Sequence, residues 1–544
     1  MAGCAMRVVF LWHMHQPEYR VDGRFLRPWV YLHALSGYTE MAVCLERCPG
    51  MRAVVNFTPV LIDQLDDYAA RLRRWRETGQ AIGDAVLDAL IALPDPGPGR
   101  ASLVRACLPP RDSPRARFNG RYRAAAEAAA AHEPAALPDP LLADLLVAFH
   151  LAWFGRSLRN GDRRASRLLE PGAGSGADAR HALLELVADT VSGVLPRWRA
   201  LGEQGRVELA TSPYYHPLSP LLLDFASALE SAPSAVVPAE DYPGGRARLA
   251  WQIAEGRARF ESLFGQAATG CWPPEGALSD GTADALAAGG FAWTASSRAV
   301  LEATFVYHGT AAREPYRLFR HAGSGIYCAF RDDGLSDRIG FEYQHWQPQD
   351  AVRDLLAQLE AIAAEPGRTL ALIALDGENP WEYYPDEGGE FLGGLYGALC
   401  AHVGLRPATM QDCLRECAST SVELPALRAG SWVHGQLLTW VGHAEKNRAW
   451  QWLIEAKRRV DRSGRGDDPR LAHRLGACEG SDWFWWPGVH NPAPSVAQFD
   501  ELFRAHLAAL YRACGGEPPD ALSRPFATGI ESAVAAGGTM QRGA

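Results

Sequence analysis

The 544-residue sequence predicts an α/β fold, in which a barrel of alternating strands and helices precedes a mainly α-helical C-terminal part. Short apolar runs rich in β-branched and aromatic residues recur with helical stretches between them, which is the pattern of parallel strands buried on both faces. Several of these runs end in polar clusters. Because the working residues of α/β barrels lie at the carboxyl ends of the strands, we expect the rim of the barrel to carry the chemistry.

Seven segments fit the strand pattern. They are Val8–Trp12, Ala53–Phe57, Val207–Ala210, Thr269–Trp272, Phe291–Thr294, Ile326–Phe330 and Leu370–Leu375. Polar clusters follow the first, fourth, sixth and seventh of these segments, beginning at His13, Pro273, Arg331 and Asp376. The pattern places all four clusters on the rim of the predicted barrel.

The chain divides into three predicted parts. Residues 1–385 form the barrel, interrupted by an insertion around 93–200 whose first half is rich in Pro, Gly, Ala and Arg. A connection of this length is usually functional or mobile, so we expect the insertion to cover part of the site. Residues 386–528 form the helical C-terminal domain, and residues 529–544 form a poorly ordered tail. Helical periodicity appears in Leu141–Phe154, His181–Leu201, Phe391–Val403, Lys446–Arg458 and Val496–Ala513.

Charge and composition exclude several classes of protein. The formal net charge of −9 argues against a nucleic-acid partner, because phosphate backbones are bound by clustered Lys and Arg. No run approaches the ~20 apolar residues that a membrane span needs, and the N-terminus does not resemble a secretory signal. Eleven cysteines without a regular framework indicate reduced thiols, so we expect a cytoplasmic protein. The 17 Trp and 16 Tyr favour sugar binding only weakly, since core packing also uses such residues.

Two carboxylates are the strongest candidates for catalysis. Glu275 and Asp376 each follow a predicted buried strand, and each has a tryptophan nearby, Trp272 and Trp381 respectively. Hydrolysis of a glycosidic bond needs two such groups: one protonates the leaving oxygen, and the other attacks or stabilises the oxocarbenium-like centre. An Asp after a strand is also often the N-cap of the next helix, so a purely structural role stays open for each residue taken alone.

Five segments in order resemble the signature regions of glycoside hydrolase family 57. They are Leu11–Pro17, Val207–Pro217, Trp272–Glu275, Leu375–Glu382, and Trp440–Gly442 together with Glu445–Asn447. A further segment, Glu479–Trp486, is similar to one found in the α-amylase and amylopullulanase branch of that family. The resemblance implies an incomplete (β/α)7 TIM-like barrel whose mainly α-helical C-terminal domain completes the cleft. It also implies a retaining mechanism on α-linked glucans, with no cofactor.

The resemblance also implies roles for individual residues. Glu275 would be the nucleophile, and Asp376 would be the acid that then acts as the base. The residues expected to bind substrate are His13, His15, Tyr214, His216, Trp272, Arg331, Asp332, Glu378, Trp381, Trp432, Trp440, Asp482 and Trp483.

Alternatives stay open for several of these residues. His13 and His15 alternate on a strand and so point to one face, where they could contact sugar, ligate zinc or pack in the core. We expect no metal, because a catalytic zinc site wants three protein ligands and no partner motif follows this pair. Asp332 could instead form a surface salt bridge, and some of the tryptophans could serve only core packing.

One pair departs from the family pattern. Ser296 and Ser297 stand where relatives commonly have an acidic pair, which could alter the linkage or subsite that is accepted. The expected partner is an α-glucan or maltooligosaccharide, and the oligomeric state stays open. We expect an amylase or amylopullulanase-like hydrolase. The alternatives are a 4-α-glucanotransferase or branching enzyme with the same carboxylates, a non-catalytic glucan-binding protein, and a zinc-dependent deacetylase or mannosidase.

Overall fold

The computed structural model describes residues 5–109, 113–170, 172–466 and 468–530. Most of the predicted tail, residues 531–544, lies outside this part of the chain. The strands are β1 (Met6–Met14), β2 (Arg20–Val21), β3 (Arg24–Phe25), β4 (Ala53–Phe57), β5 (Val207–Thr211), β6 (Gly270–Cys271), β7 (Trp293–Ser297), β8 (Phe319–His321), β9 (Tyr327–Arg331), β10 (Leu370–Asp376), β11 (Leu405–Pro407) and β12 (Val422–Leu424).

Seven parallel strands form the barrel, in the order β1, β4, β5, β6, β7, β9, β10. All nine residues of β1 are buried, which agrees with an apolar run covered on both faces. β10 runs beside β1 in a register that extends from Arg7 opposite Leu370 to His13 opposite Asp376. A single pairing, between Leu372 and Arg331, joins β10 to β9. The predicted fold class, an incomplete (β/α)7 barrel, is therefore confirmed, and each of the seven predicted segments overlaps a barrel strand.

Short strands extend this sheet beyond the prediction. β8 runs antiparallel to β9, β12 pairs in parallel with β8, and β11 pairs in parallel with the start of β1. Each of these strands has three residues, which is too short to show a period-2 pattern in the sequence. β11 and β12 lie beyond residue 385, so the chain that follows the barrel returns to its sheet. A domain boundary at residue 385 stays a prediction.

The helices that precede the third barrel strand include those of the insertion. They are α1 (Trp29–Leu35), α2 (Gly37–Arg47), α3 (Pro59–Thr78), α4 (Ala85–Ile91), α5 (Pro98–Cys107), α6 (Pro114–Phe118), α7 (Gly120–Ala130), α8 (Asp139–Ala152), α9 (Arg156–Gly161), α10 (Arg163–Leu169) and α11 (Ala177–Glu203).

The remaining helices alternate with the later barrel strands and then form most of the C-terminal part. They are α12 (Ser219–Leu223), α13 (Ser227–Ser231), α14 (Gly245–Phe264), α15 (Asp280–Ala288), α16 (Arg298–Tyr307), α17 (Asp333–Asp337), α18 (Pro348–Ala363), α19 (Gly389–Ala401), α20 (Met410–Cys417), α21 (Ala444–Arg462), α22 (Pro469–Cys478), α23 (Asp482–Trp485) and α24 (Ala493–Ala513). The five segments predicted from helical periodicity correspond to α8, α11, α19, α21 and α24.

The insertion is fastened to the segment that follows β10. The guanidinium of Arg115 lies 3.5 Å from the ring centroid of Trp153 and donates a hydrogen bond of 2.8 Å to Oε1 of Glu387. A buried cation that is both stacked on an aromatic face and paired with a carboxylate holds two segments in a fixed relation. The insertion therefore packs against the connection after the last barrel strand. Among the described residues, no helix is both long enough and apolar enough to cross a bilayer.

Candidate active site

A cavity of about 320 Å³ opens at the carboxyl ends of the barrel strands. The predicted site residues on its wall are His13, His15, His216, Glu275, Arg331, Asp376, Glu378, Trp432 and Asp482. They come from seven separate segments of the chain. The barrel gathers them because parallel strands end at one rim, while Trp432 and Asp482 arrive from the C-terminal part.

Glu275 is held at both carboxylate oxygens. Oε1 accepts a hydrogen bond of 2.8 Å from the hydroxyl of Ser481, and Oε2 accepts one of 3.2 Å from Nε1 of Trp432. The backbone N–H of Trp432 also donates to the carbonyl of Glu275 at 3.1 Å. The φ of Glu275 is +59°, a left-handed conformation that a non-glycine residue keeps only when its surroundings enforce it. The side chain is therefore aimed and fixed before any substrate binds.

Asp376 is the last residue of β10 and lies opposite His13 in the sheet. Its Oδ2 accepts a hydrogen bond of 3.0 Å from Nδ2 of Asn379. Gly377 follows directly, and a Cβ atom there would lie 2.2 Å from the sulfur of Met14. Only glycine lets the chain after Asp376 pass this close to β1, which fixes where the aspartate leaves the strand.

The cavity is acidic and largely desolvated, which changes the proton affinity of both carboxyls. Burial, followed by the charge of Asp482, raises the pKa of Glu275 to about 8, although donation from Ser481 opposes the shift. Burial also raises the pKa of Asp376 to about 6, against the effects of Asn379 and other neighbours. With pKa values of about 8 and about 6, the two carboxyls together hold one proton near neutral pH. Because the two groups interact, that proton is shared by the pair and is not assigned to either residue.

Glu378 adds a further carboxylate to the wall. Its Oε1 accepts hydrogen bonds from the backbone of His15 at 3.2 Å, from Nε2 of Gln16 at 3.1 Å and from the hydroxyl of Tyr38 at 3.0 Å. Its Oε2 is buried and has no hydrogen-bond partner among the described residues. Burial, with the nearby charge of Asp376, raises the pKa of Glu378 well above its usual range.

Three histidine rings stack beside the carboxylates. The ring centroids of His15 and His216 are 3.8 Å apart, and that of His13 lies 5.1 Å from His216. Nδ1 of His15 lies 3.1 Å from the hydroxyl of Thr58, and Nε2 of His15 lies 3.1 Å from Oδ2 of Asp482. Both ring nitrogens of His13 also have protein partners. Contact between these histidines and a sugar stays a prediction, and it would have to share or replace these bonds.

A metal site is a second use that this cluster could have. His15, His216 and Asp482 each offer a ligand atom within 4.8 Å of the others. The rings of the two histidines, however, are stacked with only 22° between their planes, so their in-plane lone pairs run side by side and do not converge on one point. Tetrahedral coordination needs converging donors. The arrangement fits a stacked pair with a hydrogen-bonded carboxylate better than it fits an ion.

Arg331 forms part of the wall and is held by acidic and backbone groups. Its Nε donates to Oδ1 of Asp333 at 2.7 Å, and its Nη1 donates to the carbonyl of Ala374 at 3.0 Å. Its guanidinium carbon lies 5.2 Å from the ring centroid of Trp432. The arginine thus supports the indole that contacts Glu275.

Six predicted site residues lie behind the cavity wall. Two of them have clear structural partners. Tyr214 stacks beside Trp251 with ring centroids 6.5 Å apart, and the carboxylate of Asp332 accepts a hydrogen bond of 2.7 Å from the hydroxyl of Tyr316. Asp332 also caps α17 by accepting from the backbone of Leu335 at 2.9 Å. Their side chains are occupied within the fold, and Asp332 is buried and hydrogen-bonded, so it does not form the surface salt bridge that was its alternative.

The four predicted tryptophans behind the wall are fully or almost fully buried. Trp272 packs edge-on against Trp432, with ring centroids 5.3 Å apart. Nε1 of Trp381 donates to the carbonyl of Gly377 at 2.9 Å, and therefore holds the backbone next to Asp376. These two residues support the site from outside the cavity.

The other two buried tryptophans belong to the C-terminal part. Trp440 packs against Trp485 with centroids 5.3 Å apart, and Nε1 of Trp483 donates to the carbonyl of Ala477 at 2.7 Å. Since Trp485 lines the cavity, Trp440 supports the wall from behind. Direct substrate contact by any of these six residues stays a prediction.

Ser296 and Ser297 also have partners within the fold. The hydroxyl of Ser296 donates to the carbonyl of Gly276 at 2.6 Å, and that of Ser297 donates to the carbonyl of Ser431 at 3.0 Å. Gly276 follows Glu275 in the chain, and Ser431 precedes Trp432, whose indole contacts Glu275. The two serines therefore fix the backbone around Glu275 and Trp432 without adding charge.

Sequence reasoning missed several residues of the site. Ser481 and Asn379 lie inside the recognised motifs Glu479–Trp486 and Leu375–Glu382, so a closer inspection of those two motifs could have found them. Asn56 follows the rule that residues near the carboxyl end of a barrel strand carry function. Three wall residues that were not predicted are Phe341, His434 and Phe499, whereas Trp485 and Trp486 belong to the recognised segment Glu479–Trp486. Phe341 and His434 belong to no motif, and no sequence signal points to them.

Comparisons with known proteins agree with this architecture. A branching enzyme from Thermococcus kodakaraensis superimposes with a TM-score of 0.59 at 17% identity, covering 96% of this chain and 95% of its own. An α-amylase from Thermotoga maritima superimposes with a TM-score of 0.58 at 13% sequence identity, and the match covers 96% of each chain. A 4-α-glucanotransferase from Thermococcus litoralis superimposes with a TM-score of 0.53 at 13% sequence identity. The match covers 94% of this chain and 60% of the glucanotransferase chain.

At these identities the likeness shows a common fold. A comparison with curated protein sequences finds no significant match. The sequence model of Glycosyl hydrolase family 57, in contrast, matches residues 9–423, a span that holds both carboxylates and all seven barrel strands. On this match, the chain belongs to Glycosyl hydrolase family 57.

Proposed function

We propose that the protein is a retaining glycoside hydrolase that acts on α-glucans, with an amylase or amylopullulanase-like activity. The observation that carries the proposal is the pair Glu275 and Asp376, a buried and a half-buried carboxyl in one cavity at the rim of the barrel. Membership of the family supports the reaction class. The names of the similar structures, which include an α-amylase, support the substrate class.

The proposed reaction has two steps. Glu275 attacks the anomeric carbon and forms a glycosyl-enzyme ester, while Asp376 gives its proton to the departing glycosidic oxygen. A water molecule then loses a proton to Asp376 and attacks the same carbon, which breaks the ester and returns Glu275 as a carboxylate. The two inversions leave the product in the α configuration, and both carboxyls regain their first protonation state.

This division of roles follows from how the two carboxylates are held. Glu275 accepts two hydrogen bonds, from Ser481 and Trp432, which restrict its carboxylate to one orientation, as a nucleophile requires. Asp376 accepts one bond from Asn379 at a single oxygen. The second oxygen of Asp376 can therefore carry and deliver the proton that the pair holds.

The rest of the wall suits a sugar. Glu378 lines the cavity, and a carboxyl group can exchange hydrogen bonds with the hydroxyl groups of a glucose unit. The indole of Trp432 offers a flat apolar face beside Glu275, and sugars commonly pack on such faces. The wall thus offers both polar and apolar contacts to a glucose unit.

Glycosyl transfer is the second candidate, and one observation favours it. Phe341, Trp485, Trp486 and Phe499 line the same cavity as the carboxylates. Aromatic walls bind a second sugar chain and keep bulk water away, which helps a sugar hydroxyl compete with water for the glycosyl-enzyme. Such an enzyme would be a 4-α-glucanotransferase or a branching enzyme.

Incubation with amylose distinguishes the two activities. Hydrolysis should release reducing ends in proportion to the loss of iodine colour. Transfer should change the iodine spectrum with little gain in reducing ends. The Glu275→Gln variant is the matched control, since it should lose both effects. If the wild-type protein neither changes iodine binding nor releases reducing ends from amylose, amylopectin or maltooligosaccharides, the proposed function is wrong.

A further inference from the structure

Five side chains from five distant segments form a continuous line of hydrogen-bonding groups. The side-chain amide of Asn56 lies 2.7 Å from Nδ1 of His13, and Nε2 of His13 lies 3.1 Å from Nε2 of His216. Nδ1 of His216 lies 2.9 Å from the hydroxyl of Ser481, which in turn lies 2.8 Å from Oε1 of Glu275. All five residues are buried.

The direction of donation along this line is decided at Asn56. The hydroxyl of Ser212 donates to the carbonyl of Trp272 at 2.7 Å, so it has no second proton for Oδ1 of Asn56, which lies 3.2 Å away. With Oδ1 facing His13 and Ser212, the Nδ2 group of Asn56 is buried without a partner among the described residues. A half-turn of the amide brings Nδ2 to the position that faces both Ser212 and His13. The two N–H bonds of Nδ2 then donate to the hydroxyl oxygen of Ser212 and to Nδ1 of His13. Only Oδ1 of Asn56 is left without a partner among the described residues, so this orientation satisfies more groups.

The rest of the line follows from this orientation, because each group can then donate in only one direction. Nδ1 of His13 accepts from Asn56, so the proton of His13 is on Nε2 and is donated to Nε2 of His216. The proton of His216 is therefore on Nδ1 and is donated to the oxygen of Ser481. The single hydroxyl proton of Ser481 is left for Glu275. Every donor has one acceptor, both histidines are neutral, and the line ends on an ionised carboxylate.

We propose that Asn56, His13, His216 and Ser481 form a one-way chain of hydrogen bonds that orients the carboxylate of Glu275 and opposes its protonation, with Ser481 as the positioning residue. This inference rests on the proposed function of Glu275 as the nucleophile. Ser481 does not touch the reacting atoms in the proposal. It acts through the oxygen of Glu275 to which it donates.

The charges around Glu275 explain why such a chain is useful. Asp482 and Asp376 face the carboxyl and disfavour its ionised form, as does burial, while the neutral ring of His216 adds no compensating charge. Burial lowers the pKa of His13 to about 3 and that of His216 well below its usual range, in agreement with two neutral rings. Donation from Ser481 and Trp432 is then what opposes protonation of the nucleophile.

The segment that carries Ser481 is itself anchored. The backbone N–H of Ser481 donates to the carbonyl of His216 at 2.8 Å. Two residues earlier, Glu479 is fully buried among Tyr242, Arg248 and Gln252, which all donate to it. The hydroxyl of Ser481 is thus presented by a rigid backbone.

The first test is the Ser481→Ala variant, with Ser227→Ala as the matched control. Ser227 is a buried serine of α13 whose hydroxyl has no partner among the described residues. Loss of a donor to a carboxylate should lower kcat by about 10- to 100-fold with little change in KM. It should also raise the pKa of Glu275, so the alkaline limb of the kcat/KM profile, which lies near that pKa, should move up by about one pH unit. The Ser227 variant should keep the wild-type profile. A Ser481 variant that keeps the wild-type alkaline limb would overturn the positioning role.

The second test locates the protons in the wild-type protein and does not depend on any variant folding. Neutron diffraction should find hydrogen on Nε2 of His13 and on Nδ1 of His216. Hydrogen on Nδ1 of His13 and Nε2 of His216 would mean that the line runs the other way and would overturn the proposal. Lack of glucan activity in the wild-type protein would instead contradict the proposed function, and the proton positions would still decide whether the chain exists.

Discussion

Nε of Arg248 lies 2.6 Å from Oε1 of Glu479, and this carboxylate is fully buried. The pair connects α14 of the barrel to the turn that delivers Ser481 and Asp482 to the cavity. A buried charge that loses its partner is strongly destabilising, because desolvation is no longer offset. The position of two cavity residues therefore depends on an ion pair outside the cavity.

The Glu479→Ala variant should lower the free energy of unfolding by about 3–5 kcal/mol, since it leaves Arg248 without its partner. It should also lower activity, because the backbone of Ser481 loses its anchor. Urea denaturation followed by tryptophan fluorescence measures the first effect. Arg353→Ala is the control, because it removes an exposed ion pair with Asp350 and should change stability little. Equal midpoints for the two variants would contradict the anchoring role.

Kinetics with an activated substrate should separate the two carboxylate roles. Glu275→Gln should lose at least about a thousandfold in activity on every substrate, because no glycosyl-enzyme can form. Asp376→Asn should still release a fluoride or aryl leaving group, since such groups need no proton. Its glycosyl-enzyme should accumulate, and azide should rescue turnover by attacking it.

The azide product of the Asp376 variant should have the α configuration, because azide enters on the face that the leaving group vacated. NMR of the product determines the anomer. If azide instead rescues a small-residue variant of Glu275 with retained configuration, and Asp376→Asn is inactive toward activated substrates, the two roles are reversed.

The pH profile should report the shared proton of the pair. Burial raises the pKa of Asp376 to about 6 and that of Glu275 to about 8. Below about pH 6 both carboxyls become protonated and the nucleophile is lost; above about pH 8 both are ionised and the acid is lost. A bell-shaped dependence of kcat/KM with limbs near these values is the expected result. A profile that stays flat from pH 5 to 9 would contradict it.

Stability should respond to the same group. The folded-state pKa of Glu275 lies above its ordinary value, so between about pH 4.5 and 8 the folded protein binds more protons than the unfolded chain. The contribution of Glu275 to stability is therefore full at low pH and is lost as the pH rises. Glu275→Gln cannot ionise, so it should be more stable than wild type by about 1–3 kcal/mol at pH 8 and nearly equal at pH 5. Thermal unfolding at the two pH values measures the difference.

Chelation should leave the activity intact. The stacked rings of His15 and His216 do not direct their lone pairs to a common point, and the proposed mechanism uses only carboxyls. Dialysis against EDTA, followed by assays with and without added zinc, checks this expectation. Complete loss of activity that zinc restores would mean that these histidines and Asp482 hold a metal after all.

The sequence by itself determined the barrel and the candidate carboxylates. Parallel strands buried on both faces leave continuous apolar runs, so all seven barrel strands were visible in the chain. Residues that follow such strands reach one rim, which made Glu275 and Asp376 candidates, and the resemblance of their segments to the family's signature regions distinguished them from other rim residues. The short strand β11 escaped prediction because its three residues carry no periodicity.

Only the tertiary structure decided which other side chains line the cavity. Trp432 and Trp440 look alike in the sequence, yet Trp432 lies on the wall and Trp440 lies behind it, because the C-terminal part folds back at an angle that no local pattern encodes. Likewise, Ser481 meets Glu275 across 206 positions of the chain. Hydrogen bonds of this kind depend on distances of a few tenths of an ångström between remote segments. Local propensity and hydrophobic periodicity act over only a few residues, so they cannot specify such distances.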